Sequence, residues 1–156
     1  TIASEVGDLP AAASARSALE SRLGHDDPLL SALDLRARLA ARTGGKPSDD
    51  ALGAARERIE SSNDPMDRLR TVHLALDACG PDPPRWLREA HSKSSPETLR
   101  DDLAAHRRLT GQWWFWRGML EPESRLSHWR EAIGRLRSAE CNHAAEDLIG
   151  RLSKTL

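Results

Sequence analysis

Residues 112–117 read Gln-Trp-Trp-Phe-Trp-Arg and place four of the chain's six aromatic side chains in consecutive positions. Because a helix turns once in about 3.6 residues, four consecutive rings span most of its circumference and cannot all face one core. Exposed tryptophan beside arginine is typical of surfaces where proteins bind proteins. We therefore predict a partner-binding surface, and it comprises Trp113, Trp114, Trp116, Arg117, Arg107 and Arg108.

Two other interpretations of this segment remain open. In the first, Trp113 fills the core together with Trp116 or Trp114, and the neighbouring rings pack on flanking helices. In the second, the rings and the nearby arginines form a stacking and phosphate-binding surface for single-stranded nucleic acid. A net charge of −1 and the interleaved acids disfavour nucleic acid, so another protein is the preferred partner.

Candidate catalytic and metal-binding residues are sparse. Glu140 and His143 have the Glu-x-x-His spacing of di-iron bundles, but those bundles need the motif twice and two further carboxylates. His73 and His106 fall on apolar helix faces, where a buried neutral imidazole bonded to a backbone carbonyl or a carboxylate is the ordinary explanation. Residues 43–46 contain only a fragment of a phosphate-binding loop. We therefore assign no catalytic residue, no metal ligand and no cofactor.

An enzyme or a carrier of a small ligand nevertheless stays a third functional hypothesis. Its pocket would lie among four tryptophans spread over the second half of the chain, namely Trp86, Trp113, Trp116 and Trp129. A non-enzymatic adaptor, scaffold or regulatory module is preferred, because no set of residues with a catalytic arrangement accompanies these rings.

The elements that carry these residues are predicted to be helices. Proline recurs just after a capping residue, where its missing N–H costs nothing, at Asp27-Pro28, Asp64-Pro65, Ser95-Pro96 and Glu121-Pro122. Apolar spacing then predicts helices over about 10–23, 28–42, 64–79, 95–120 and 122–138. It also predicts a helix that Ser48 or Asp49 caps and that carries Leu52, Ala55 and Ile59, and a short helix that carries Trp86, Leu87 and Ala90. The apolar residues from Ala144 to Leu152 follow in a shifted phase. Either Ser138 caps a separate last helix, or one long helix drifts around its own axis.

These predictions define the fold class and the domain organisation. The chain has two valines, four isoleucines and no tyrosine, so strand signals are nearly absent. We expect an all-α, single-domain bundle of about six to eight helices over residues 1–156, joined by short Pro/Gly turns. Residues 1–9 are expected to be loosely ordered, residues 43–48 to form a loop, and residues 80–84 to form an elbow.

Composition limits the cellular setting. Apolar residues make up 38% of the chain and charged residues 30%, which is typical of a globular protein. The longest uncharged stretch, residues 109–116, is far shorter than the roughly 20 residues that span a membrane. The first residues lack the features of a secretory signal, and two cysteines suggest no disulfide framework. We expect a cytoplasmic protein of bacterial-like composition, since arginine outnumbers lysine by 20 to 3.

Overall fold

The computed structural model describes residues 28–96 and 104–155, together with positions 14, 15, 17–19, 21 and 22. The predictions for residues 1–9, for most of the helix over 10–23, and for residues 97–103 lie outside this part of the chain. The described elements are, in chain order, α1 (Pro28–Ala40), β1 (Arg42–Thr43), β2 (Lys46–Pro47), α2 (Asp49–Ser61), α3 (Pro65–Cys79), α4 (Arg85–Lys93), α5 (Ala104–Leu120), a 3-10 helix (Pro122–Ser124), α6 (Arg125–Ser138) and α7 (Asn142–Thr155). The prediction of an all-α fold is confirmed.

Local sequence explains where the helices begin. The Asp64 side chain accepts a hydrogen bond from the Met66 backbone N–H at 3.0 Å, and Pro65 occupies the first turn of α3. The Ser48 hydroxyl accepts a hydrogen bond from the Ala51 N–H at 3.1 Å at the start of α2. Each side chain satisfies an N–H that has no partner within its helix.

The predicted loop over residues 43–48 contains a minimal antiparallel hairpin instead of irregular chain. Arg42 pairs with Pro47, and Thr43 pairs with Lys46. The two turn residues, Gly44 and Gly45, have φ values of 63° and 79°. A two-residue turn of this kind needs positive φ at both positions, which glycine adopts without steric cost.

The last two helices are separate elements. The chain leaves α6 through Glu140, whose φ is 61°, and the Cys141 N–H donates to the Leu136 carbonyl oxygen at 2.8 Å. This bond satisfies one of the carbonyls at the end of α6. The shifted apolar phase in the sequence therefore marks a helix boundary.

The backbone contacts divide the chain into two compact units, residues 1–57 and residues 58–156. In the first unit, the buried residues include Leu35, Leu39, Ala51 and Ala55. The second unit contains α3 to α7. The expectation of a single domain stays a prediction.

Helix α5 lies between two apolar clusters in the second unit. One cluster is centred on Trp129, Leu136 and Leu148 of α6 and α7. The other contains Leu69 of α3 and two residues of α5, Leu109 and Trp113. Partly buried Trp114 packs against both clusters. The rings of the 113–116 segment are thus distributed around the helix rather than gathered on one face.

Two glycines allow α5 and α6 to approach closely. A Cβ atom at Gly118 would lie 2.4 Å from Cδ1 of Trp129, and one at Gly111 would lie 2.9 Å from Cγ of Leu136. Gly111 interrupts the long apolar pattern of α5 because α6 crosses closely at this position.

Candidate functional site

The structure separates the predicted partner-binding residues into buried and accessible groups. Trp113 and Trp116 are buried, with 3% and 8% of their surface exposed. Trp114 and Arg117 are partly exposed, and Arg108 is exposed. Of the three tryptophans predicted to face a partner, Trp114 alone keeps substantial access to solvent.

The predicted arginines do not share one surface patch. Nε of Arg107 donates to the Ser138 carbonyl oxygen at 3.0 Å, which ties α5 to the end of α6. Arg107 and Arg117 are ten positions apart, and at about 1.5 Å per residue they lie roughly 15 Å apart along the helix axis. Only Arg117 accompanies the accessible ring.

Arg117 is held against the rings and against an acid on the same side of α5. Its guanidinium carbon lies 5.1 Å from the ring centroid of Trp113 and 5.8 Å from that of Trp114. Its Nε lies 3.3 Å from Oε1 of Glu121, one helical turn further along the chain. The cation is thus positioned by cation–π contacts and an ion pair together.

His128 of α6 completes a closed arrangement of four side chains. Its Nε2 lies 2.8 Å from Oε2 of Glu121, and its ring centroid lies 5.5 Å from that of Trp114. Since an ionised carboxylate can only accept, Nε2 of His128 donates this bond. Trp114, Arg117, Glu121 and His128 therefore restrain one another, and we call them the Trp114 circuit.

The electrostatics of the Trp114 circuit favour an ionised carboxylate at its centre. Partial burial raises the pKa of Glu121, but the hydrogen bond from His128 and the positive charge of Arg117 outweigh it, so the pKa lies below its ordinary value. The carboxylate consequently remains charged at neutral pH and keeps both partners in place.

A shallow depression of about 650 Å³ lies beside the Trp114 circuit, on the N-terminal half of α6. Its lining is mostly polar and consists of Glu123, Ser124, Leu126, Ser127, His128, Arg130 and Glu131. Leu126 has 38% of its surface exposed and is the most exposed large apolar residue in the described ranges. His128 belongs to both features, so the depression and the Trp114 circuit form one surface, which we call the Trp114–His128 surface.

The Trp114–His128 surface contains part of a hydrolase-like arrangement. His128 and Glu121 resemble the base and orienting acid of a hydrolase, but a nucleophile must bond to the histidine for that chemistry. In residues 28–96 and 104–155, His128 has no hydrogen bond to a hydroxyl or thiol group. The same ranges hold no group of three or more metal-ligating side chains.

Sequence reasoning did not find Glu121, Leu126 or His128. The i,i+4 spacing of Arg117 and Glu121 was a usable signal for an ion pair on one helix face. His128 lies beyond a turn and on another helix, and its approach to Glu121 depends on the angle at which α6 crosses α5. A linear pattern holds no information on that angle.

Comparisons with known proteins leave the site to be interpreted from its own geometry. No family model matches the chain, and neither a curated protein nor a solved structure gives a match. Across the ranges that the structure covers, no helix is both long enough and apolar enough to cross a membrane.

Proposed function

We propose that the chain is a non-enzymatic helical interaction module that binds another protein through the Trp114–His128 surface. The observation that supports this most directly is the Trp114 circuit, which fixes a partly exposed indole in one orientation before any partner arrives. A contact side chain that is already ordered loses little conformational freedom on binding, so more of its contact energy contributes to affinity.

The shape of the surface favours a protein partner over a small ligand. Pockets for small molecules are concave, largely apolar and deep enough to enclose most of the ligand. The depression on α6 is shallow and has one apolar residue, Leu126, among polar ones. An apolar centre with charges of both signs around it instead matches the organisation of protein interfaces.

Several arginines in the second half of the chain are already paired with acids, which does not favour nucleic acid. Arg117, Arg135, Arg137 and Arg151 each form an ion pair with a carboxylate of the chain. Phosphate binding draws its free energy from cations that release counterions, and a cation already paired with an acid contributes less.

Site-specific photocrosslinking tests the proposal. A photoreactive residue at Ser127, which lines the depression, is compared with one at Ser153, an exposed position on α7. In extract of the native cells, position 127 should capture one protein reproducibly, whereas position 153 should not. Purified partner should then bind the unmodified chain in a titration by calorimetry.

Two variants connect that binding to the surface. Leu126→Ser should weaken the purified partner's affinity by about tenfold or more, as expected for an apolar contact at an interface centre. It should leave the melting temperature nearly unchanged, because Leu126 is exposed. The matched control Arg85→Ala changes an exposed residue of α4 and should leave affinity unchanged. Equal affinity for Leu126→Ser and Arg85→Ala would reject the proposed surface.

A further inference from the structure

Two histidines lie side by side in the buried joint between α3, α4 and α5. His73 of α3 is 7% exposed and His91 of α4 is 3% exposed, and their ring centroids are 6.3 Å apart. The Trp114–His128 surface uses neither residue. That surface therefore does not explain why the two histidines are buried together.

His91 connects α4 to α5 through a reciprocal pair of hydrogen bonds. Nε1 of Trp113 donates to the His91 carbonyl oxygen at 2.9 Å, and Nε2 of His91 lies 3.1 Å from the Trp113 carbonyl oxygen. The two rings are stacked, with centroids 4.8 Å apart and planes inclined by 16°. Since a carbonyl can only accept, Nε2 of His91 carries the hydrogen.

His73 has no comparable partner. Among the residues that the structure describes, neither of its buried ring nitrogens has a hydrogen-bond partner. Burial and, to a smaller extent, the neighbouring His91 lower the pKa of His73, Gln112 opposes the shift, and the resulting pKa is about 3. A positive charge on this ring would thus be buried with no bonded acid, which is strongly unfavourable.

The charged neighbours of the pair do not compensate for protonation. Burial lowers the pKa of His91, the bond to the Trp113 carbonyl opposes it, Arg117 lowers it and Glu121 raises it, and the resulting pKa is about 4. Glu121 already binds Arg117 and His128. The other charged or titratable groups on α3, α4 and α5 are buried His106, partly buried Asp67, Arg68, Cys79, Arg88 and Arg107, and exposed Arg70, Asp77, Arg85, Glu89, Lys93 and Arg108.

We propose that the joint between α4 and α5 is an acid-sensitive device: protonation of His73 and His91 separates α4 from Trp113 and displaces the packed Trp113–Trp114 rings. Two cations 6.3 Å apart repel each other, and opening the joint gives both access to water. The ring of Trp114 follows because it packs edge-on against Trp113, with centroids 5.1 Å apart. Opening then alters the Trp114–His128 surface from within.

The direction of the effect follows from linkage. Both histidines have an ordinary pKa of 6.5 and a lowered one in the closed joint, so the open state binds more protons at mildly acidic pH. The closed joint is therefore fully stable above about pH 6.5 and becomes less stable as the pH falls. Below about pH 6.5, and above its lowered pKa, each histidine raises the equilibrium constant for opening about tenfold for every unit by which the pH falls.

Near-ultraviolet circular dichroism of the tryptophans measures the opening without any partner. Between about pH 6.5 and 4.5 the tryptophan signal should decrease while the far-ultraviolet helical signal persists. The double variant His73→Leu, His91→Gln should keep the tryptophan signal over this range, since Leu cannot be protonated and Gln preserves a donor toward the Trp113 carbonyl. An unchanged acid transition in a folded double variant would overturn the proposal.

A control variant and a second measurement test the same proposal. His143→Gln changes an exposed histidine of α7 and should leave the acid transition as it is in the unmodified chain. If the double variant does not fold, proton NMR of the unmodified chain replaces it: the ring protons of His73 and His91 should show no titration near pH 6.5 while the joint is closed. Ordinary titration of either ring in the folded protein would contradict the proposed device.

Discussion

Helix α5 packs differently on its two sides. The side toward α6 is expected to be rigid, and the side toward α3 and α4 is expected to respond to pH. Toward α6, glycines let the backbones approach, and Nε1 of Trp129 donates to the Phe115 carbonyl oxygen at 3.1 Å. Toward α3 and α4, the contact includes histidine rings, and one of them, His73, has no hydrogen-bond partner in the described part of the chain. The contact with α6 should not depend on pH, but it should be sensitive to any substitution that prevents the close approach. The contact with α3 and α4 should depend on pH.

The largest effect is expected at Gly118, where the α5–α6 contact is closest. Gly118→Ala places a Cβ 2.4 Å and 2.5 Å from two atoms of the Trp129 indole. The indole cannot easily move, because it is stacked on Phe115 and Arg125 lies over its ring. We expect the free energy of unfolding to fall by about 3 kcal/mol in urea denaturation at neutral pH.

Gly118→Ser should be at least as destabilising, because it adds an atom to the same Cβ. A loss well below about 1 kcal/mol for Gly118→Ala would show that α6 moves away without difficulty. The contact between α5 and α6 would then not be the rigid side of the molecule.

The second effect is the pH dependence of the histidine joint. From about pH 7.5 to 5.5, two buried neutral histidines with an ordinary pKa of 6.5 should together lower the free energy of unfolding by about 2.5 kcal/mol. The window lies above the range in which Glu121 and Asp67, with lowered pKa values, take up protons. Urea denaturation at the two pH values measures the difference.

The variant Gly118→Ala provides a useful comparison for this pH effect. Its free energy of unfolding should fall by the same amount between the two pH values, since its substitution lies on the other side of α5. A stability that is independent of pH in the unmodified chain would remove the contrast between the two sides.

Sequence predicted the helices well because their signals are local. Asp64-Pro65 marks the start of α3, and Gly80, with φ of 72°, marks its end. Capping and apolar spacing act within one or two turns, so the pattern contains what is needed. The small hairpin at residues 42–47 was missed because strands of two residues are too short for a period to be visible.

Sequence predicted the candidate site only in part because ring burial depends on neighbouring helices. The spacing of residues 113–116 showed that one helix face could not hold all the rings, and Trp114 is partly exposed. It could not show that α4 covers Trp113 through His91. The sequence predicts that His73 is buried and bonded; it is buried, but neither ring nitrogen has a hydrogen-bond partner within the described ranges.

A third, smaller effect concerns the hydrogen bond that closes the histidine joint. Trp113→Phe removes the donor to the His91 carbonyl oxygen and leaves that oxygen buried without this bond. We expect a loss of about 1.5 kcal/mol in the free energy of unfolding. Trp114→Phe should cost less than about 1 kcal/mol, because Trp114 is partly exposed. Equal losses for the two variants would show that the reciprocal bonds add nothing to the joint.

The smallest expected effect distinguishes glycine at a crossing from glycine elsewhere in a helix. Gly134 lies within α6, and a Cβ there would meet nothing within 4 Å. Gly134→Ala should raise the free energy of unfolding by about 0.7 kcal/mol, since alanine loses less backbone freedom on folding and favours helix. If Gly134→Ala were as destabilising as Gly118→Ala, then steric contact would not explain the cost of alanine in these helices. Opposite signs at Gly118 and Gly134 would instead locate the cost at the Trp129 indole, where the two helices meet.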